Sequence, residues 1–404
     1  MRVGIEKINL YAGRFYLDIA ELAEVRGQDF EYIATHMMCD RRSVYPIYED
    51  AVTMAVNAAK RLLSSEERQD IELLVVGTES AVDFGKPIST WVHRFAELPE
   101  NCRNFEVKHA CYGATGALKM AASWVAAGIR PGKKALVIST DFSRSHLNSQ
   151  AEYICGGCAV AMLVSGDPQI LELPLDRAGY WTTEISDTFR PTSRAEVGNN
   201  EVSLYSYLDA LEGAYYHYEE IVGEVDYEAD FKKHIYHAPF PAMTFQAHRS
   251  MLSMFRAVSK KAAKENFEQR VEESLSFAKR VGSAYGASNF LCLLSLLSTA
   301  KDLNGHDKIS LFAYGSGCQG EFYEGIIGPN APELVSSLNL EQHLDERMRL
   351  SAAEYEAIEL AREAVIDAPE YQPERDAAYE SRYAGQGLLV LKEVENYLRK
   401  YEWS

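Results

Sequence analysis

The chain has 404 residues, 47% of them hydrophobic and 25% charged. That balance gives a globular protein core enough for about two or three domains, with no need of disulfide or metal staples. Its 41 Lys and Arg against 59 Asp and Glu leave a formal charge of −18, which argues against sequence-independent nucleic-acid binding and against an anionic membrane surface.

Ala51–Leu63 is apolar at Val52, Ala55, Val56, Ala59, Leu62 and Leu63, a helical period. Leu73–Val76 reads as a buried strand that meets a turn at Gly77. Ala114–Ala127 is an Ala-rich buried helix stopped by Gly128. Ala135–Ser139 and Ala159–Val164 are further buried strands. A second series follows. Glu268–Arg280 has the pattern of an amphipathic helix and Ala287–Leu297 that of a buried one. Ile309–Ala313 is a strand ending in Tyr314-Gly315-Ser316-Gly317, and Leu388–Leu391 opens a closing strand region that runs towards Trp403. Pro332–Asp376 is acidic and patterned as a solvated outer helix pair. The alternation predicts an α/β fold of two comparable halves, residues 1–167 and 168–404.

The seven cysteines, at positions 39, 102, 111, 155, 158, 292 and 318, have no disulfide-framework spacing, which predicts a reduced, cytoplasmic protein. The N-terminal MRVGIEK carries charge where a secretory signal needs an apolar core. The longest apolar run, around Leu291–Leu297, is far short of the roughly 20 residues that span a bilayer.

Three places offer chemistry. In His109-Ala110-Cys111-Tyr112-Gly113 a cysteine stands where a turn enters a small-residue helix. The helix dipole and free N–H groups there favour a thiolate, the nucleophilic form. A buried core cysteine is the competing reading. In Val76-Gly77-Thr78-Glu79 a carboxylate follows a buried strand, at the sheet end where α/β folds bind ligands. An apolar pocket would make Glu79 a stronger base for carbon acids, and an ordinary loop glutamate is the alternative. In Tyr236-His237-Ala238-Pro239 a histidine ends a strand. It can polarise a carbonyl or exchange protons, or simply be a satisfied core histidine. Cys155-Gly156-Gly157-Cys158 has CxxC spacing but no second ligand pair, so no metal site is expected. No GxxxxGK[ST] loop occurs.

Taken together, these motifs resemble the 3-hydroxy-3-methylglutaryl (HMG)-CoA synthase family of the thiolase superfamily. The likeness runs through SVYPIYEDAVTMAVNAA (Ser43–Ala59), GTE at Gly77–Glu79, ACYGATGAL at Ala110–Leu118 and STD at Ser139–Asp141. It continues through GGCAVAML at Gly156–Leu163, FRP at Phe189–Pro191, YHAPF at Tyr236–Phe240 and YGSGCQGEF at Tyr314–Phe322. The resemblance implies a thiolase fold, two similar α/β halves in five αβαβα layers, and a homodimer. It implies acetylation of Cys111 by a donor thioester, removal of a methyl proton by Glu79, and attack of the enolate on the β-ketone of a second thioester held by His237. Backbone N–H groups near Cys111 would stabilise the oxyanions, and water would release the product. Phe189, Ser203, Tyr285 and Ser316 match positions that line the acyl pocket. No bound cofactor is implied, since the substrates ride on phosphopantetheine.

The ending GQGLLVLKEVENYLRKYEWS (Gly385–Ser404) resembles the branch of that family that acts on acyl carrier proteins in polyketide β-branching. Pro241–Arg249 has no lysine to meet coenzyme A phosphates, which suits a carrier-borne substrate. An acidic carrier protein needs a local basic patch, for which Arg249 and Lys232-Lys233 are candidates. Three positions depart from the family pattern: Ser283 before Ala284-Tyr285, Ser145 in place of a tyrosine, and Cys158 in place of a glycine. The competing functions are HMG-CoA synthase of isoprenoid metabolism, a decarboxylating ketosynthase, and a non-catalytic carrier-binding scaffold. A ketosynthase has no need of Glu79 and uses an Asn that is lost at Ser283, and the intact Glu79, Cys111 and His237 set argues against the scaffold.

Overall fold

The structure, a computed structural model, describes residues 2–194 and 196–404. Its main sheet is built from β1 (Gly4–Tyr11), β2 (Ile71–Gly77), β3 (Arg103–Val107), β4 (Lys134–Phe142) and β5 (Gly157–Ser165), followed by β6 (Leu171–Glu172), β7 (Ala178–Thr182), β8 (Lys233–Tyr236), β9 (Lys308–Gly315) and β10 (Gln319–Ile327). The spatial order is β8-β9-β10-β6-β1-β5-β4-β2-β3, with β7 on β10. The two-residue β6 is the joint: Glu172 pairs with Gly4 of β1 on one side and with Ile326 of β10 on the other. The strands of residues 4–165 thus lie on one side of β6 and those of residues 178–327 on the other.

Strand alternation sorts the core into layers. Leu74 and Val76 of β2, Leu136 and Ile138 of β4, and Ala161 and Leu163 of β5 face outward. They pack under Val52, Ala55, Val56 and Ala59 of helix α1 (Ala51–Leu62). Asp50 starts that helix by accepting from Val52 N at 3.0 Å and Thr53 N at 3.1 Å. Leu73, Val75, Val137, Val160 and Met162 face inward, onto Ala114, Ala117, Leu118 and Ala121 of α2 (Gly113–Ala126). On the far side of the second sheet lie α3 (Asn200–Val222) and α4 (Pro241–Phe255). The remaining central helix, α5 (Ser288–Thr299), is buried at every residue from Ser288 to Leu297, as its apolar circumference requires. The result is the five-layered αβαβα arrangement that the resemblance implied.

Two elements differ from the sequence expectation. Glu268–Arg280 is broken into a helix ending at Arg270, a 3-10 turn Glu272–Leu275 and a short helix Ala278–Val281. Val271, Leu275 and Phe277 all turn into the core, and the Ser274 hydroxyl donates to Val271 O at 2.7 Å. That geometry suits a tight turn and not a straight amphipathic rod. Pro332–Asp376 is likewise no helix pair. It contains short helices Ala331–Ser336 and Leu340–Asp345, a strand Met348–Leu350 and a helix Ala352–Val365. Asn339, at φ 53°, breaks the first run, and Met348–Leu350 pairs in parallel with Phe15–Leu17. The closing hairpin, Leu389–Glu395 with Leu398–Trp403, returns to α1: Leu389 N donates to Asn57 Oδ1 at 2.8 Å.

Candidate active site

The C-terminal ends of β2, β4 and β9 and the N-terminus of α2 converge on one place. Glu79 leaves β2 just after Gly77. A Cβ at Gly77 would stand 2.6 Å from Ala114 N, so only glycine lets the start of α2 lie flat against the strand end. Gly315, ending β9, is confined in the same way: a Cβ there would meet Tyr112 N at 2.6 Å and His109 O at 2.7 Å. Through these close approaches both halves touch the turn that carries Cys111. Ala110 in that turn sits at φ 37°, and Tyr285 opposite at φ 45°. Left-handed backbone of this kind at non-glycine residues costs about 1–3 kcal/mol each and is held by the surrounding packing.

Cys111 Sγ lies 3.3 Å from Glu79 Oε1 and is placed to donate to it. Asp141, at the end of β4, holds the Glu79 backbone from behind. Its Oδ1 accepts from Glu79 N at 2.9 Å and from the Thr78 hydroxyl at 2.9 Å, and that hydroxyl also reaches Thr140 O at 2.7 Å. Burial raises the Glu79 carboxyl well above its ordinary range, and the Asp141 and Glu196 charges add to the rise. Asp141 is raised in the same direction by its own burial. The Cys111 thiol is pushed up too, first by burial and then by the negative charge of Glu79. The expectation of a resting thiolate at the helix N-terminus is corrected here. Two anions at this separation in a desolvated site are too costly, so the sulfur keeps a proton and hands it towards the carboxylate. A second refinement concerns the oxyanion donors. The amides of Tyr112 and Gly113 are committed to His109 O, at 2.9 Å and 3.1 Å.

His237 follows β8 directly and is 1% exposed. Its N donates to Phe312 O of β9 at 2.7 Å, and its own carbonyl accepts from the Tyr207 hydroxyl at 2.8 Å. Nδ1 lies 2.7 Å from Ser288 Oγ. Ala238 N donates to that same Oγ at 3.4 Å, so the hydroxyl is free to turn its proton to Nδ1. That assignment puts the ring proton on Nε2. Burial lowers the imidazole to about 3, so at neutral pH the ring is uncharged.

The other expected residues are placed unevenly. Tyr285 is 5% exposed and faces Glu196 and Glu79. Ser316 follows Gly315 at the Cys111 turn. Phe189 sits in a two-residue strand against Val197 and is largely exposed. Ser203 lies in the first turn of α3, its N donating to Asn199 O at 2.9 Å. Neither Phe189 nor Ser203 bonds to the three central residues among the described residues. Ser283 holds its loop to the β4–β5 connection: its N donates to Ile154 O at 2.7 Å and its O accepts from the Ser143 hydroxyl at 3.0 Å. Lys233 is withdrawn from any docking role: its ammonium is buried against Glu273 at 2.6 Å and Asp302 at 2.8 Å. Arg249 is exposed. No cluster of three or more metal-ligating side chains occurs among the described residues. Asp141 was visible in the sequence only as part of STD, and Ser288 not at all.

Residues 1–169 match the family described as hydroxymethylglutaryl-coenzyme A synthase N terminal, and residues 253–403 its C-terminal counterpart. The chain is 39% identical over 368 residues to the polyketide biosynthesis 3-hydroxy-3-methylglutaryl-ACP synthase PksG of Bacillus subtilis (strain 168), covering 88% of this chain and 87% of that one. It is 36% identical over 366 residues to the hydroxymethylglutaryl-CoA synthase of Enterococcus faecalis, covering 89% and 91%. Among solved structures, it superimposes on the curacin biosynthetic pathway HMG synthase in complex with holo donor-ACP with a TM-score of 0.95 at 36% identity, over 100% of both chains.

Proposed function

The chain belongs to the hydroxymethylglutaryl-CoA synthase family, and from that premise we propose that it condenses an acetyl unit with a β-ketoacyl group borne on an acyl carrier protein. The observation that carries the chemistry is the 3.3 Å approach of Glu79 Oε1 to Cys111 Sγ. The thiol gives its proton to Glu79 as sulfur attacks the donor thioester. Glu79 returns it to the departing pantetheine thiol, leaving acetyl-Cys111 and a free carboxylate. That carboxylate, made more basic by burial, removes a proton from the acetyl methyl. The enolate carbon forms a bond to the acceptor's β-carbon, and the ketone oxygen becomes an alkoxide. His237, neutral and with its Nε2 proton outward, donates to that oxygen. Proton return yields the tertiary alcohol, and water then cleaves the thioester to Cys111.

The carrier-protein assignment is supported by the relatives and by the stretch Pro241–Arg249, where no lysine is present and Arg249 is exposed. The carrier proteins of donor and acceptor are the partners we assign, with phosphopantetheine as the shared arm. Phe189, Ser203, Tyr285 and Ser316 are assigned to the acyl pocket on the same reading. A homodimer is supported by β3, an edge strand that pairs only with β2 among the described residues, and by Phe84, 99% exposed on the loop after Glu79. A cytoplasmic site fits seven free cysteines, and no helix among the described residues is long and apolar enough to cross a membrane. The test is intact-protein mass spectrometry with acetyl carrier protein, then β-ketoacyl carrier protein. An acetyl adduct on Cys111 that is consumed on adding the acceptor supports the proposal. Strong preference for the free coenzyme A thioesters refutes the carrier assignment, and no adduct from either donor refutes the chemistry.

A further inference from the structure

Next to the nucleophile, but outside the chemistry above, lies a buried charge cluster that joins the two halves. Tyr112, the residue after Cys111, donates its hydroxyl to Glu321 Oε2 at 2.6 Å. Lys119, two turns further along α2, puts its ammonium 3.0 Å from the other carboxylate oxygen, Oε1. The same ammonium lies 4.1 Å from the centre of the Tyr323 ring. Glu321 is buried, and the Lys119 side chain is 15% exposed. A carboxylate this deep is costly unless fully partnered, yet its two partners come from the first half while it belongs to β10 of the second. Glu321 also stands opposite Ala313 of β9, beside Phe312, whose carbonyl holds His237 N at 2.7 Å. The path from sulfur to imidazole is therefore short: Cys111, Tyr112, Glu321, the β9 backbone, His237.

We propose that Glu321 is a positioning residue, latching the Cys111 turn, through Tyr112 and Lys119, to the sheet that carries His237. The inference rests on the roles assigned above to Cys111 and His237. Acetyl transfer draws only on the first half, which carries both the thiol and Glu79. Condensation also needs His237 at the right distance from acetyl-Cys111, and that distance spans the halves. Displacement of about 1 Å at a reacting centre can cost up to roughly a hundredfold in rate. The latch thus governs the second step and spares the first, a split that a merely stabilising ion pair would not produce.

The test measures both half-reactions and thermal stability for the wild type, Tyr112→Phe, Glu321→Gln and the double variant Lys119→Gln/Glu321→Gln. Tyr112→Phe and Glu321→Gln are expected to slow condensation about tenfold or more while changing acetylation less than about threefold. The double variant removes the stranded ammonium but leaves an amide oxygen to accept from Tyr112, so it recovers part of the condensation rate. Tyr112→Phe introduces no unpaired charge and keeps the proposal testable if Glu321→Gln does not fold. Equal losses in both steps, or condensation within about twofold of wild type in all variants, overturns the latch. A wild type that is never acetylated refutes the functional reading instead.

Discussion

Gly77 and Ala114 are packed backbone to backbone, with no space between strand end and helix start for even a methyl group. This contact sets where Glu79 leaves the sheet, and therefore how near its carboxylate comes to Cys111. The 3.3 Å approach of Glu79 to Cys111 is thus fixed by a residue with no side chain.

Gly77→Ala should accordingly damage chemistry and stability together. The added Cβ must push α2 or β2 aside, an overpacking cost of about 1–3 kcal/mol. The Glu79–Cys111 contact would open with it. Urea denaturation should show the loss of stability. Condensation should fall more than the folded fraction does, and activity that tracks the folded fraction alone would contradict this assignment.

Glu79→Gln separates the two steps differently. Acetyl-Cys111 should still form, with water taking the thiol proton in place of Glu79, because removing the negative neighbour makes the thiol easier to ionise, opposite to the rise that Glu79 now imposes. Condensation should stop, with a loss of about a hundredfold or more, since no base then faces the methyl group. Alkylation of Cys111 by iodoacetamide, followed across pH, should shift to lower pH in the variant. In the wild type the acid limb of condensation should lie well above the ordinary glutamate value of 4.5, because the base form of a raised carboxyl is lost earlier as pH falls. His237, at about 3, adds nothing to that limb.

Much of this site was legible in the residues alone. Glu79, Cys111 and His237 each stand at the end of a recognisable strand or the mouth of a recognisable helix, and local pattern is enough to place such positions. Their supports were not legible, because each comes from a distant part of the chain. Asp141 is 63 residues from Thr78, Ser288 is 51 from His237, and Glu321 is 209 from Tyr112. The helix expected over Glu268–Arg280 failed for a related reason: its apolar positions answer to a core on several sides, not to one helical face. The state of the sulfur was misread because a helix terminus was visible in the sequence and a facing carboxylate at 3.3 Å was not.

Ser288→Ala tests the tautomer of His237. Without the hydroxyl, Nδ1 loses its 2.7 Å partner, and Ala238 N also loses its own. Condensation should fall about ten- to a hundredfold while acetylation is unchanged, in line with the worth of one positioned donor. Ser288→Thr, which retains the hydroxyl, should restore part of the rate. Equal activity in both variants would show that Ser288 does not orient the ring.

A second buried carboxyl lies far from the chemistry. Glu49, 1% exposed, accepts from the Tyr11 hydroxyl and the Tyr383 hydroxyl, each at 2.6 Å, and so ties β1 to the returning C-terminal region. Burial pushes its carboxyl from 4.5 up to about 7. Below 4.5 the folded and unfolded chains both hold the proton, and the contribution to stability is complete. Between 4.5 and 7 the unfolded chain ionises while the folded one does not, so stability is lost as pH rises, by up to about 3 kcal/mol in all. Glu49→Gln carries no such proton. Relative to the wild type it should gain about 2–3 kcal/mol between pH 5 and pH 8 in urea denaturation, whatever constant cost the amide adds. The buried histidines act in the opposite direction, but they are common to both proteins and cancel in the difference. An offset between variant and wild type that is the same at both pH values would place the Glu49 proton elsewhere.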